Sequence, residues 1–282
     1  MSIIKIGLIG AGGKMGKIII SLIEQNPELN LTAAFEHPNS RDLGMPVNLR
    51  SNSPSELNYI PITLIEEILS STSIDVCIDF SHPDCTKKWA PFILQHKIPI
   101  VIATTGLSDQ FHEEMQKVAK EHRTSALIST NMAFGMNLFI KTAKQLASYI
   151  PNWDIEIIEK HHHHKLDSPS GTALTLANEI KQIIAKESDS EEIFTFGRGK
   201  GKFPRKIGSR EIGIHAIRAG DIVGEHTIIF AGSGERLEFT HRAHSRVCFG
   251  EGALNAAKFL LEHKLQGKLY QISDVVEYAG RK

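Results

Sequence analysis

The sequence predicts an α/β protein in which a parallel sheet interleaved with helices is followed by a region with strands of its own. Three observations carry this. Short apolar runs recur at 3–9, 31–35, 73–79, 98–103 and 124–129, as strands buried on both faces require. Helix-period stretches follow several of them: through Gln25, over 84–96, and from a capping Ser108 through His122. From Ile212 onward, shorter runs succeed one another with only turn signals between them.

The first run enters Gly10-Ala11-Gly12-Gly13-Lys14-Met15-Gly16, and the second strand ends at Glu36. Glycines permit a tight turn and close backbone approach, so the amides at the helix start can face a pyrophosphate. Glu36 lies 20 residues past Gly16, about where an acidic side chain accepts hydrogen bonds from the adenosine ribose. The spacing is Gly10-x-Gly12-x-x-x-Gly16, or equally Gly10-x-x-Gly13-x-x-Gly16, rather than the strict fingerprint. Alone it would equally suit a structural turn. Strand, helix, second strand and placed acid together predict a Rossmann-like, nucleotide-binding unit. Later strands run into Phe80-Ser81-His82-Pro83, Thr104-Thr105-Gly106 and Thr130-Asn131-Met132. In open parallel sheets ligands sit beyond the carboxyl ends of the strands, where Phe80, Thr104, Thr105, Thr130 and Asn131 stand. Singly, each fits ordinary turn chemistry; as a set they are expected to include cofactor contacts. Residues 38–61, with their Asn, Ser and Pro, read as a surface loop.

The bulk numbers narrow the function classes. With 282 residues, the chain fits one large or two ordinary domains. Its 32 basic and 32 acidic residues give a formal net charge of zero, so no general field favours nucleic acid or a membrane surface. No apolar run approaches the ~20 residues of a membrane helix. The first residues lack a basic n-region and a small-residue cleavage site, and read as a buried strand. Three scattered cysteines, Cys77, Cys85 and Cys248, make no disulfide framework, and a reducing cytoplasm is the expected compartment.

A helix over 133–150 ends at Pro151-Asn152, a candidate domain boundary. Residues 153–159 then alternate polar and apolar like a strand. Ser168 suits an N-cap, Pro169 a first helical position, and Ala173, Ala177, Ile180 and Ile184 share one helical face. Between strand and helix lie four histidines, His161–His164, and Lys165. Three readings compete. The run is a solvated polar loop, since four adjacent histidines cannot all face one point; or it binds metal, although no zinc-type spacing accompanies it; or it performs acid–base chemistry, since imidazole titrates near neutrality. Lys165 adds a cation, and the amides of Ser170, Gly171 and Thr172 an anion cradle. That combination suits an acidic substrate that accepts a hydride and then a proton. Further on, 186–192 is polar, and the glycine-rich basic stretch 196–206 is either a solvated loop or a flap for an anionic ligand. Runs at 212–217, 224–230 and 237–240 are expected as an antiparallel set, and a late helix over 249–265 as a cover for the first sheet.

Residues Glu159-x-His161-His162-x-x-Lys165-x-Asp167-x-Pro169-Ser170-Gly171-Thr172-Ala173 resemble the signature of the dihydrodipicolinate (4-hydroxy-tetrahydrodipicolinate) reductases of diaminopimelate and lysine biosynthesis. The resemblance extends over the whole chain. It includes Gly10–Gly16, Asp79-Phe80-Ser81-His82-Pro83, Thr104-Thr105-Gly106 and Arg218-Ala219-Gly220-Asp221-Ile222-Val223-Gly224-Glu225-His226. It implies a Rossmann-like domain from 1–130 with 243–282, and an inserted α/β domain over 131–242 that binds substrate and builds a homotetramer. It implies NADH or NADPH as cofactor and a small dicarboxylate as substrate, with no metal, nucleic acid or membrane. By similarity His161 is the proton donor/acceptor and Lys165 a second donor, with His162, Gly171 and Thr172 holding substrate carboxylates. Gly10, Ala11, Gly12, Gly13, Lys14 and Met15 would cradle the cofactor phosphates, and Glu36 the ribose. Ala103, Thr104, Thr105, Ser129, Thr130, Asn131 and Met132 would line the nicotinamide side, with Phe80 beside them as a further cofactor contact.

The chain departs from the common pattern at Ala103, where glycine is frequent, at Thr130 and Met132, and at His37, where an arginine often follows the acid. Histidine is a weaker partner for a 2′-phosphate than a guanidinium, and Glu36 would repel that phosphate. NADH use at least equal to NADPH use is therefore expected. Two other readings are another two-domain Rossmann oxidoreductase, acting on a sugar or aldehyde, and a non-catalytic NAD-sensing or metal-binding protein. The first would carry a Glu-Lys-Pro strand end, which the sequence lacks; the second would bind NADH without turnover.

Overall fold

In the computed structural model, which describes residues 3–47, 57–185, 193–205 and 208–281, the early apolar runs become one parallel sheet. β1 (Ile4–Ile9) leads to α1 (Lys14–Glu24), β2 (Leu29–Glu36), β3 (Tyr59–Pro61), α2 (Ile65–Ser71), β4 (Val76–Asp79) and α3 (Pro83–Gln95). β5 (Ile100–Ile102), α4 (Asp109–His122) and β6 (Ala126–Ile128) follow. Then come α5 (Phe134–Tyr149), β7 (Asp154–His161), α6 (Gly171–Ile184), β8 (Phe194–Phe196), β9 (Ile212–Arg218), β10 (Gly224–Ala231) and β11 (Arg236–Ala243). The last elements are α7 (Val247–Glu262), β12 (Leu269–Tyr270) and α8 (Ile272–Ala279). Two compact units result. One holds the chain up to Phe134 and again from Arg246, and the other is Gly135–Ser245. Pro151-Asn152 is not a boundary: it is the turn between α5 and β7, inside the second unit.

In the first unit the strand order is β12-β6-β5-β4-β1-β2-β3, and every neighbouring pair is parallel. Side chains alternate between two apolar clusters. Ile6, Leu8, Ile78, Val101 and Leu127 pack with α1 and α7, and Ile9, Cys77, Ile100, Ile102 and Ile128 with α3 and α4. Chain order reverses at β1, with β2 on one side and β4 on the other, which makes its carboxyl end the expected ligand position. The late helix covers the sheet as expected, and it comes very close: a Cβ on Gly252 would fall 1.7 Å from the Met132 carbonyl oxygen. Within the segment read as a loop, Tyr59–Pro61 instead extends the sheet beside β2. Residues 48–56, the 186–192 stretch and Lys206 lie outside the described residues.

The second unit is a five-stranded sheet ordered β11-β10-β7-β9-β8. The expected antiparallel set is corrected here, because β7 inserts between β9 and β10, parallel to the first and antiparallel to the second. The insertion follows from matching apolar faces: Ile155 and Ile157 align with Ile212 and Ile214 on one side and with Phe230 and Ile228 on the other. All six are at most 2% exposed, and α6 packs over β7 and β9 through Ala173, Leu176, Ala177 and Ile180. Period-two alternation then directs Glu159 and His161 to the same inner face. The outer face carries the half-exposed Ile158 and Ile229, and Ile217 at 42% exposure.

Candidate active site

The inner face of β7 turns from apolar to ionic at its carboxyl end. Glu159 is fully buried yet has four donors. Its Oε2 accepts from His161 Nδ1 (2.6 Å) and Arg218 Nη1 (2.8 Å), and its Oε1 from Arg218 Nη2 (2.7 Å) and the Ser170 amide (3.0 Å). Burial raises the pKa of such a group, but these hydrogen bonds outweigh it and hold the carboxyl at about 2. Being ionised, Glu159 can only accept, so His161 must carry its proton on Nδ1 when neutral. That leaves Nε2 for chemistry, and it faces Gly224, where a Cβ would stand 3.1 Å away.

His226, opposite Glu159 on β10, packs its ring edge-on against His161 with centroids 5.3 Å apart. Burial first, then repulsion from His161, pushes its pKa down to about 3. Its Nε2 lies 3.2 Å from Ser170 Oγ, which also accepts from the Ala173 amide. That bond makes Ser170 the N-cap of α6, two residues beyond the expected Ser168; Ser168-Pro169 is a cis peptide ahead of the helix. The expected cap at Ser168 thus gives way to a serine tied to both Glu159 and His226.

The four histidines separate clearly. His161 ends β7 rather than lying in the loop, and is buried; His162 is half-buried; His163 and His164 are exposed, their rings 3.9 Å apart. The loop is stitched to the Arg218-to-Ile222 turn: Ala219 donates to the His161 carbonyl, His162 to that of Ile222 and His163 to that of Gly220. Among the described residues no group of three or more His, Cys, Asp or Glu side chains is placed to hold a metal ion. Lys165 and the start of α6 do come together, but around the protein's own anion. Lys165 Nζ lies 2.7 Å from Asp167 Oδ1, and this bond, with a further one from the Gly171 amide, lowers the Asp167 pKa. Of the three amides expected to cradle an anion, Ser170's is engaged by Glu159 and Gly171's by Asp167. In the basic stretch 196–206 both described arginines are engaged: Arg198 pairs with Glu211, and Arg205 with Asp154 and Glu156.

In the first unit, Gly10–Gly13 form the turn after β1, Lys14 and Met15 open α1, and Glu36 ends β2. Phe80, Ala103–Thr105 and Ser129–Met132 follow β4, β5 and β6. All sit at carboxyl strand ends. Three are turned inward: Ala11, Thr104 and Met132 are buried. The Thr104 hydroxyl joins Thr86 and the buried Asp79, whose carboxyl burial pushes up. Ser129 and Asn131 bond to each other across their own turn. A cavity of about 510 Å³ opens here, lined in part by Gly10, Gly13, Glu36, Phe80 and Trp89. The turn fits a dinucleotide: a Cβ on Gly10 would meet the Phe80 carbonyl at 2.7 Å, and one on Gly16 the Gly10 and Ala11 carbonyls at 2.3 Å. Glu36 Oε2 accepts from the Gly12 amide at 2.6 Å and Oε1 from that of His37 at 2.9 Å.

The family description "Dihydrodipicolinate reductase, N-terminus" matches residues 4–132, and "Dihydrodipicolinate reductase, C-terminus" matches residues 135–276. The chain belongs to the dihydrodipicolinate reductase family. It is 38% identical over 280 residues to the 4-hydroxy-tetrahydrodipicolinate reductase of Methanocaldococcus jannaschii, covering 97% of each chain. With the reductase of Caldanaerobacter subterraneus it shares 39% over 268 residues, covering 95% and 96%. The dipicolinate-bound dihydrodipicolinate reductase of Paenisporosarcina sp. TG-14 superposes with a TM-score of 0.74 at 25% identity, over 95% of this chain and 97% of that one. Family resemblance in sequence singled out the Arg218-to-His226 run without assigning roles inside it. The structure shows that Arg218, Gly224 and His226, together with Glu159, surround His161. The signal was present in sequence as two motifs some 50 residues apart, but their partnership needs the β9-β7-β10 order.

The buried histidine has a consequence for stability. His226 titrates near 6.5 when unfolded but near 3 when folded, so the unfolded chain binds the extra proton and stability falls as pH drops below ~6.5. Glu159 adds a loss below its ordinary 4.5. His226→Asn should flatten the decline of Tm between about pH 7 and pH 5. Equal slopes for both proteins would contradict the assignment.

Proposed function

We propose that this chain is a 4-hydroxy-tetrahydrodipicolinate reductase, acting in the cytoplasm in diaminopimelate and lysine biosynthesis with NADH or NADPH. The observation that carries the reading is His161, locked by an ionised Glu159 with Nε2 open, beside Lys165 and the α6 N-terminus. The cytoplasmic setting is supported by three free cysteines.

The reduced nicotinamide, when bound, supplies hydride to the substrate ring. The chain supplies the protons and the anchoring. His161 gives a proton from Nε2 to the carbanion-like centre while Nδ1–H stays on Glu159. Lys165 stabilises charge at the ring nitrogen and assists its protonation. His162 and the Gly171-Thr172 pair hold the carboxylates, and a substrate carboxylate takes over from Asp167, which at 55% side-chain exposure can swing into water. General acid catalysis contributes typically ~10²–10⁴-fold, so His161→Gln should lower kcat by about that factor and leave NADH affinity nearly unchanged. Near-full turnover in that variant, with substrate generated in situ from pyruvate and aspartate semialdehyde, would remove His161 from the mechanism.

Glu36 occupies the ribose position with a full negative charge, and Asp42 Oδ2 stands as close to Gly12 as Glu36 does, both 2.9 Å from a Cβ placed there. His37 Nδ1 already accepts from the Asn39 amide. Two carboxylates near the 2′-hydroxyl disfavour a phosphate there. Initial rates near neutral pH should therefore give kcat/KM with NADH at least equal to that with NADPH; a clear NADPH preference would overturn this.

The reading includes a homotetramer assembled through the outer face of the five-stranded sheet. Its support is the line of Ile158, Ile217 and Ile229 across β7, β9 and β10, flanked by the Lys160–Glu225–Arg242 ion pairs. Light scattering on a size-exclusion column should report four copies, and a lone monomer would refute the assembly.

A further inference from the structure

The acid proposed above sits among charges whose arrangement has its own purpose. His161 is faced by Glu159 from its own strand, Arg218 from β9 and His226 from β10, with Lys165 and Asp167 in the following loop and His241 beyond His226 on β11. Glu159 has no spare lone pair and no solvent exposure: Arg218 forks onto both oxygens, and the Ser170 amide and His161 Nδ1 complete the set. Arg218 Nη2 also donates to the Asp167 carbonyl at 2.7 Å, so one guanidinium braces both the carboxylate and the Lys165 loop.

We infer that Glu159 and Arg218 are a positioning pair that fixes His161 as its Nδ1–H tautomer and balances the charge beside it, an inference that rests on His161 being the proton donor. The two halves pull in opposite directions. A bare carboxylate on Nδ1 would hold the imidazolium so firmly that Nε2 gave up its proton reluctantly. With no carboxylate, the ring could rotate or adopt the other tautomer. Arg218, by sharing the carboxylate, keeps the orienting bond and tempers its charge. Gly224 leaves the Nε2 side of the ring uncovered, which accounts for glycine in the Val-Gly-Glu-His run. His226, neutral and edge-on, fills the remaining side without offering a competing proton.

The test combines ring-nitrogen NMR on the full-length, histidine-labelled protein with pH–rate profiles using NADH. His161→Gln identifies the signal. The wild-type ring, when neutral, should be protonated on Nδ1. Glu159→Gln should mix the tautomers, lower kcat by at least about 10-fold, toward the ~10⁴-fold that loss of the orienting carboxylate costs in a Ser-His-Asp triad, and shift the basic limb of the profile down by about a unit or more. Arg218→Met should shift that limb up, because it leaves the carboxylate's charge undivided. The double variant Glu159→Gln/Arg218→Met, which leaves neither charge unpaired, should behave like Glu159→Gln. Arg218→Lys keeps the charge without the fork and should fall between wild type and Arg218→Met, which serves if a neutral variant does not fold. A wild-type ring protonated on Nε2, or limbs that move the same way in the Glu159 and Arg218 variants, would overturn the inference. Full turnover in His161→Gln would instead sink the acid assignment, and the tautomer measurement still decides the positioning pair on its own.

Discussion

A carboxylate closed off from water sits at the centre of the second unit, and its need for partners organises everything near it. Glu159 occupies an inward position of the central strand because Ile155 and Ile157 fix the alternation two residues at a time. Once there, it must be ionised with donors or neutral without them, since an unpaired buried charge costs several kcal/mol. The fold provides donors from three places: a strand neighbour (Arg218), a helix cap (Ser170) and the residue two positions on (His161). Removing Arg218 alone would leave a buried charge short of its main partner, a loss on the order of 3–5 kcal/mol. The same carboxylate thus joins β7 to β9, seats the start of α6 and orients the imidazole.

The first unit solves a different problem with backbone rather than charge. Its seven strands are all parallel, so their carboxyl ends gather the loops after β1, β2, β4, β5 and β6 along one edge. Gly10 and Gly16 admit contacts with neighbouring carbonyls that a Cβ would block. At the turn Glu36 holds the Gly12 and His37 amides, with Asp42 close by. Asp79, buried beneath the same edge, ties the loop after β4 to Thr104 after β5 through Thr86. Several polar residues that sequence places at the cofactor thus also tie their own loops together.

The parallel sheet was legible because buried strands and amphipathic helices leave strong periodic signals, and Phe35, Ile78 and Val101 carry them. Glu36 and the glycine turn were legible because a strand, a helix and a second strand frame their spacing. The place of β7 between β9 and β10 was not, since a strand's partners are chosen by apolar matches far away in sequence, here Ile212, Ile214, Ile228 and Phe230. The cap at Ser170 was misplaced at Ser168 for a related reason. Both serines satisfy local capping rules, and the choice is made by Glu159 and His226, which local sequence does not see. Short elements such as β3 and β12 escaped because two or three residues hold no period.

Asp167 shows how a lysine beside a helix start can be stable with no anion from outside. A lysine and a helix N-terminus set side by side favour a negative charge, and with none supplied from outside they would repel one another and expose amides. Asp167 fills that demand with its own carboxylate, on Lys165 Nζ and the Gly171 amide. Asp167 stands at the surface, where a carboxylate is solvated at little cost. Glu159 is its opposite: fully enclosed, four times bonded and unable to leave. Two acids eight residues apart on the same strand and loop are therefore held in opposite ways, one enclosed against the imidazole and the other at the surface on Lys165 and the start of α6.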